Sequence, residues 1–453
     1  MDQVFKAYDV RGTVPDQLDA EMCRAIGRAF ARFAGAPEVL VGRDMRPSGV
    51  ELAGAFSEGV RAEGAGIADL GLASTDFLYF ASGHLDAPGA MFTASHNPAR
   101  YNGLKLCLAG ARPVGSDSGL DDIRAEADKL LGEPLPPVTG GHREVDLLET
   151  WADHVVSFVD VGSLRPLKVV ADTANGMGGL VVPIVFKRLP FRIEILFPEL
   201  DGNFPNHPAD PIQPENLVAL KQAVLEQGAD IGLAFDGDAD RVFLVDERAE
   251  PVSGSLTTAL VAASMLTKHP GEIILYNLIC SHVEPETITE LGGRPVRTRV
   301  GHSIIKKVMA ETGAVFGGEH SGHYYYRDNF RADSGIITAL VVLELLSASG
   351  QPLSEMLRPY QRYADSGEIN TEVASPADTV AALAEHERAA GASVDLLDGL
   401  TVEHEDWWYN VRPSNTEPLL RLNVEARTQE QCAAHVAALR ALIAEHAGAA
   451  GPK

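Results

Sequence analysis

Cysteine is sparse in this chain of 453 residues, with four copies at Cys23, Cys107, Cys280 and Cys432. They are scattered, with no CxxC pair and no disulfide-framework spacing, which excludes a disulfide-stapled scaffold and fits a reducing compartment. Long apolar runs are also missing. The most apolar stretch, Gly335 to Leu346, is of helix-core length and falls short of the ~20 residues that cross a bilayer. The first residues, Met1-Asp2-Gln3-Val4-Phe5-Lys6, show no basic segment followed by an apolar one. No signal peptide is therefore expected, and the expected location is cytoplasmic. Positive charge is in short supply. Lys and Arg total 38 against 63 Asp and Glu, a net −25 with His neutral. Such a surface repels other polyanions, so neither nucleic acid nor an anionic membrane is an expected partner. If an anion binds, the positive charge for it must be gathered in one place.

What the chain does have is a soluble globular balance, with 45% hydrophobic and 22% charged residues. Its length suggests three to four domains of roughly 100–150 residues, each able to bury a core. Short apolar runs alternate with helical patterns up to the neighbourhood of Arg362. Asp16 to Ala34 sets Leu18, Met22, Ala25, Ile26, Ala29, Phe30 and Phe33 near a 3.6 period and predicts an amphipathic helix. Val39–Val41, Ala90–Phe92, Lys168–Ala171, Ile231–Phe235, Ile273–Tyr276 and Val315-Phe316 read as buried strands. This alternation predicts α/β layers. The Pro- and Gly-rich stretch Gly132 to His142 reads as a linker. Changes near Glu247–Pro251 and Arg362–Gly367 mark two further boundaries. The expected units are 1–142, 143–250, 251–364 and 365–453. The last reads strand, helix, strand, strand, helix, with its final helix at Glu430–Glu445 and a frayed end from Gly448 to Lys453.

The strongest chemical signal is Asp236-Gly237-Asp238-Ala239-Asp240-Arg241, set between the apolar runs Ile231–Phe235 and Val242–Val245. Three carboxylates at alternate positions of a tight loop repel one another and call for a cation. Hard oxygen donors suit Mg²⁺ or Ca²⁺. Glu247 gives the segment a partial likeness to an EF-hand loop, but Arg241 stands where that loop needs Gly, and the flanks are strands. An exposed acidic turn is the alternative. Thr93-Ala94-Ser95-His96-Asn97-Pro98 follows a buried strand, at the sheet edge where α/β proteins place chemistry. A Ser–His hydrolase has little support. No GxSxG elbow occurs, and in an extended segment His96 points away from Ser95. A plain turn remains open here.

Gly317 to His323 sets Glu319 and Ser321 among glycines, which suits hydrogen bonding to a polyol at close backbone approach. A metal site from His320 and His323, or an incidental glycine loop, are the other readings. Arg412-Pro413-Ser414-Asn415-Thr416-Glu417-Pro418, with Arg421 beyond it, offers a guanidinium fork and three side-chain donors. That is a phosphate cradle or a capped turn, and not a Walker loop. Tyr8-Asp9-Val10-Arg11-Gly12 and Val300-Gly301-His302-Ser303 are lesser pieces, each read alone as structural.

Taken together and in this order, Tyr8–Gly12, Thr93–Pro98, Asp236–Arg241, Gly318–His323 and Arg412–Pro418 resemble the motifs of the α-D-phosphohexomutase superfamily, phosphomannomutase/phosphoglucomutase group, over essentially the whole chain. The resemblance implies an α/β fold with three α/β domains of similar mixed-sheet topology plus a smaller C-terminal α+β domain around a central cleft. It implies that Ser95 is phosphorylated in the resting enzyme, and that Asp236, Asp238 and Asp240 hold one Mg²⁺ together with that phosphate. Glu319 and Ser321 would grip sugar hydroxyls. Arg412, Ser414, Asn415 and Thr416, helped by Arg421, would hold the phosphate that is not reacting. Tyr8, Arg11, His96, Lys105, Arg241 and His302 would line the cleft, with Ser95, His96, Lys105 and Arg241 in the chemistry.

The implied activity is that of an isomerase, interconverting hexose 6-phosphate and hexose 1-phosphate through phosphoserine and a hexose 1,6-bisphosphate. The bisphosphate would also act as activator by rephosphorylating Ser95. Phosphoryl transfer passes through spread negative charge, so positioning and local positive charge do most of the work. Mannose and glucose phosphates are the expected substrates, because His320 stands where phosphoglucosamine mutases more often have Gln. Phosphoglucosamine mutase and a non-catalytic, metal-dependent sugar-phosphate binding protein are the alternatives. A monomer or small homo-oligomer is expected, with a hinge around Arg362–Gly367. Relatives often carry a basic side chain within the segment read here as Asn277–His282. This chain offers only His282 there, with Arg299 as a substitute. The cleft would gather Arg11, Lys105, Arg241, His302, Arg412, Arg421 and Mg²⁺. The acidic exterior, screened within about 8–10 Å, then does not oppose a small sugar phosphate.

Overall fold

A computed structural model of the chain describes residues 1–414 and 419–446. Four sheets follow one another along the chain. The first three share one plan. Three adjacent parallel strands are followed by an antiparallel fourth. In the first sheet these are Gly66–Leu72, Glu38–Arg43, Gly89–Phe92 and then Tyr101–Leu108. In the second they are Arg192–Leu196, Lys168–Asp172, Ile231–Phe235 and then Val242–Asp246. In the third they are Arg294–Thr298, Ile273–Asn277, Phe316–Gly318 and then Tyr324–Tyr326. In every case the third strand and the antiparallel one are consecutive in sequence. A loop therefore joins them at the same place in each sheet, and those loops are 93–100, 236–241 and 319–323. The parallel strands feeding them are covered on both faces, which is why they read as unbroken apolar runs.

The fourth sheet is antiparallel throughout, with Trp407–Pro413 against Leu419–Ala426 at its centre. Arg412 and Pro413 end the strand Trp407–Pro413, Ser414 follows it, and residues 415–418 lie outside the described residues. One contiguous core runs through the first three units, including Leu40, Phe77, Val169, Phe235, Ile274 and Ile336. The fourth unit packs a core of its own around Leu400, Tyr409, Leu422 and Ile443.

Helix starts are set by side-chain caps. Ser74 caps Thr75–Leu85, Ser253 caps Gly254–Lys268 and Ser334 caps Gly335–Ser349, each accepting from a backbone N–H of the first turn. Gly335–Ser349 is apolar on nearly every face because it is buried on nearly every face. Among the described residues no single helix is long and apolar enough to cross a membrane.

Several local expectations shift. The first helix starts at Ala20 instead of Asp16, because Asp19 takes the N-cap and accepts from Met22 N–H. The last unit has two short strands, Ala364–Asp365 and Ile369–Glu372, before its helix Pro376–Ala389. Four strands follow that helix, and the final helix is Gln429–His446. The expected fraying beyond Gly448 lies outside the described residues. The linker stretch runs into His142–Glu144, which pairs with Gly66–Leu72 and so still belongs to the first sheet. Pro251–Val252 belongs to the second sheet, and Ala364–Asp365 already to the fourth.

Candidate active site

Ser95 sits just past the strand Gly89–Phe92, with a left-handed backbone at φ 49. That conformation corrects the expectation for His96. The segment is not extended, so both side chains face the same way, and His96 Nδ1 lies 3.4 Å from Ser95 Oγ. Ser95 Oγ donates to Asp236 Oδ2 at 2.7 Å across the boundary between the first two units. Gly237 makes this approach possible, since a Cβ there would meet the Ser95 carbonyl at 2.4 Å.

Beneath the serine loop lies Arg46, a residue the sequence reading passed over. Its side chain is fully buried, and it donates to the carbonyls of Ser95, Asn97, Pro98 and Tyr101 and to Asp44. The face of its guanidinium is covered by the Phe204 ring, 5.2 Å away. The available signal was the strand-end run Gly42-Arg43-Asp44, followed by a Pro-Ser turn. A buried arginine looks like any surface arginine until its acceptors are known.

Asp236, Asp238 and Asp240 are fully buried, and one carboxylate oxygen from each lies within 4.8 Å of the others. Ala239 at φ 61 turns the loop between them. Lys105 reaches in from the first sheet, 2.7 Å from Asp238 Oδ2 and 2.5 Å from Asp240 Oδ2. Thr75 also donates to Asp238. Arg241 folds back on Asp236 at 2.9 Å and reaches His96 Nδ1 at 2.5 Å. Asp238 Oδ1 and Asp240 Oδ1 remain buried without a hydrogen-bond partner among the described residues. Three carboxylates with two unpartnered buried oxygens suit a hard dication.

The electrostatics follow from this packing. Burial, together with Asp238 and Asp240, pushes the Asp236 carboxyl up despite Arg241. Burial would raise Asp238 too, but Lys105 beside it holds it well below the usual carboxylate range. Burial opposes charge on Lys105, yet Asp238 and Asp240 prevail and keep it cationic. Burial and the neighbouring Arg241 and Arg11 push the His96 imidazole down, so it is neutral. Glu247 turns away from the loop and accepts from Ser354, which ends the EF-hand likeness.

The third loop closes on the second. Arg241 and His323 form an isolated antiparallel bridge. His323 Nε2 is 3.6 Å from Asp240 and 3.9 Å from Asp333, and Nδ1 is 3.0 Å from Ser321 Oγ. His323 is thus a further site residue. The anticipated pairing of His320 with His323 is not the histidine–carboxylate group that forms, which is Asp240, His323 and Asp333. Glu319 is buried and accepts from Tyr325 Oη at 2.6 Å and from Gly301 N–H at 3.3 Å. Tyr8 lies edge-on to His302, with ring centroids 5.7 Å apart, and donates to the Val300 carbonyl. Arg11 bonds Asn97 in the serine loop at 2.6 Å.

On the fourth unit, Arg412 and Arg421 both bond Glu368, and Ser414 N–H donates to Leu419 O. Asn415 and Thr416 lie outside the described residues. His282, the basic side chain of Asn277–His282, faces the fourth unit. Its Nε2 is 3.1 Å from Glu403 and its ring stacks on Trp408, so it ties the third unit to the fourth. Arg299 is exposed.

Three similar α/β units and an antiparallel fourth thus bring a serine, an aspartate trio and a glutamate loop together. Family models agree along the whole chain. The phosphoglucomutase/phosphomannomutase α/β/α domains I, II and III match residues 2–131, 149–250 and 253–363, and the C-terminal domain matches 368–442. The chain belongs to the phosphoglucomutase/phosphomannomutase family. It is 41% identical to the phosphohexose mutases of Xanthomonas campestris pv. campestris over 93% of this chain and 95% of that one. It is 38% identical to the phosphomannomutase of Escherichia coli K12 over 93% and 94%. The solved structure of a phosphoglucomutase/phosphomannomutase family protein from Burkholderia thailandensis superposes with a TM-score of 0.89. It is 32% identical and covers 100% of this chain and 99% of that one.

Proposed function

We propose that this chain is a phosphomannomutase that also takes glucose phosphates, working through phosphoserine95. The observation that carries the reading is the Ser95 hydroxyl, 2.7 Å from the buried aspartate trio, with Lys105 and Arg241 packed around it. A phosphoryl group on Ser95 would enter a site already lined with fixed cations, where spread transition-state charge is best stabilised. Asp236, Asp238 and Asp240 would hold Mg²⁺, and the ion would supply neutralisation of phosphoryl charge.

The phosphorus–oxygen bond to Ser95 breaks as one forms to a free hydroxyl of the hexose monophosphate. The hydroxyl proton needs a base. His96 would take that role once Arg241, which donates to its Nδ1 here, turns onto the phosphoryl group, whereas Lys105, held cationic by two aspartates, suits charge stabilisation. Glu319 and Ser321 would orient the sugar. Tyr8, Arg11 and His302 would line the cleft. Arg412, Ser414, Asn415, Thr416 and Arg421 would hold the distal phosphate. The hexose 1,6-bisphosphate then turns over and returns its other phosphate to Ser95. A free bisphosphate would serve as activator. We keep the four-unit division 1–142, 143–250, 251–364 and 365–453 as a proposal, with each bound shifted by the strand that crosses it: His142–Glu144 goes with the first unit, Pro251–Val252 with the second and Ala364–Asp365 with the fourth. Four free, buried cysteines and a phosphorylated substrate accord with a cytoplasmic setting.

The test is intact-mass and peptide analysis. Stoichiometric phosphate on Ser95, lost with activity in Ser95→Ala, supports the mutase. Full turnover by Ser95→Ala refutes it. Comparing kcat/KM for mannose, glucose and glucosamine 1-phosphates decides the sugar, and a large preference for glucosamine overturns the mannose reading.

A further inference from the structure

The register of the fourth sheet sets two arginines face to face. Arg412 on Trp407–Pro413 and Arg421 on Leu419–Ala426 are directly opposed partners, an arrangement that like charges disfavour. Glu368 resolves the conflict. Its Oε2 is 2.8 Å from Arg412, and its Oε1 is 3.3 Å from Arg421. The backbone fixes its position. Gly367, left-handed at φ 61, turns the chain into Ile369–Glu372, which pairs with the strand that carries Arg421. The side chains of Arg412, Arg421 and Glu368 are 10%, 31% and 28% exposed, so the trio is partly withdrawn from water yet open to a ligand.

We propose that Glu368 is the resident counter-anion of the phosphate cradle, a positioning residue with two effects. It holds Arg412 and Arg421 together when the cradle is empty, and it loosens the cradle's grip when phosphate is bound. The proposal rests on the reading of Arg412 and Arg421 as the distal phosphate site. An incoming phosphate takes over the guanidinium hydrogen bonds while the carboxylate beside it repels it. Two cations and one anion leave a net attraction, but a moderated one.

Moderation is what the proposed reaction needs. The bisphosphate intermediate must release one phosphate from the cradle and present the other within each turnover. A cradle without the carboxylate would bind every phosphorylated species more tightly, intermediate included. Stronger binding of the ground state and the intermediate alike lowers KM without speeding the reaction.

Steady-state kinetics with mannose 1-phosphate, and the dissociation rate of glucose 1,6-bisphosphate, test this in Glu368→Gln, Glu368→Asp and Arg412→Ala. In Glu368→Gln, KM should fall roughly tenfold, the worth of one charge pair at a partly exposed site. Turnover should fall with it, and bisphosphate should leave more slowly. Glu368→Asp, which keeps the charge but draws the carboxylate back by one methylene, should fall between wild type and Glu368→Gln. Glu368→Ala gives the same readout should the Gln variant not fold. A KM that rises or stays level in Glu368→Gln, while Arg412→Ala raises KM, overturns the counter-anion role and leaves the cradle standing. An unchanged KM in Arg412→Ala overturns the cradle itself.

Discussion

Arg46→Lys keeps a positive charge beneath the serine loop but removes the fork that organises it. The guanidinium makes five hydrogen bonds: to Ser95 O and Asn97 O at 2.7 Å, Pro98 O and Tyr101 O at 2.9 Å, and Asp44 Oδ2 at 3.0 Å. An ammonium has three donors, so at least two of these acceptors lose their partner. A buried acceptor stranded in this way costs about 1–3 kcal/mol; the bonds to Ser95 and Asp44 are buried, whereas those to Asn97, Pro98 and Tyr101 are part-buried, where water recovers some of the loss. The loss is divided between global stability and local distortion. Only about 2 kcal/mol expressed as misplacement of Ser95 Oγ corresponds to a ~30-fold fall in turnover. Urea unfolding in Mg²⁺, with kcat at saturating substrate and phosphate occupancy of Ser95, measures both shares. A variant within about 0.5 kcal/mol of wild-type stability and within about twofold of its turnover refutes the claim that this fork positions the serine.

Gly237→Ala should lower turnover well over tenfold, because its Cβ would meet the Ser95 carbonyl at 2.4 Å and drive the two loops apart; normal kinetics would show that the loops have slack. Mg²⁺ at a hundred times its dissociation constant should stabilise the protein by about 2.7 kcal/mol, seen as a rise in Tm that EDTA reverses and that Asp238→Asn lacks. No rise in the wild type removes the aspartate trio as the metal site. Asp76 is fully buried, and burial pushes its carboxyl up to about 7, against the hydrogen bonds from Ser74 and Ser334. Its proton stabilises the folded form below the ordinary carboxylate range, and that contribution is lost as pH rises through about 7. Asp76→Asn should therefore flatten the decline in unfolding free energy between pH ~4 and ~7; an unchanged slope in urea titrations counts against a protonated Asp76.

Most of the local chemistry was legible in the chain. Strands buried on both faces must be apolar throughout, so Ile231–Phe235 and Lys168–Ala171 announced themselves. A loop that repeats carboxylates between two such strands has few other uses than holding a cation. Order and spacing of the polar loops carried the family. Less was legible where the outcome depended on which strands become neighbours. The short strands of the fourth unit carry little pattern of their own, so its six described strands read as three.

Long-range position was decided by the tertiary structure. Sequence placed Ser95 and Asp236 in separate motifs, and only the packing of the first unit against the second brings oxygen to oxygen. Extended geometry would have sent His96 away, and a single left-handed residue returned it. Arg46 and Glu368 gave little or no sign, and His323 was read with the wrong partner, because a charged side chain acquires its role from acceptors and partners far away in sequence. Composition sets how much positive charge this chain has, but only the fold determines that Arg11, Lys105 and Arg241 gather at the serine and aspartate loops. The physical reason is that Coulomb attraction and hydrogen bonding depend on distance through space, which sequence order does not record.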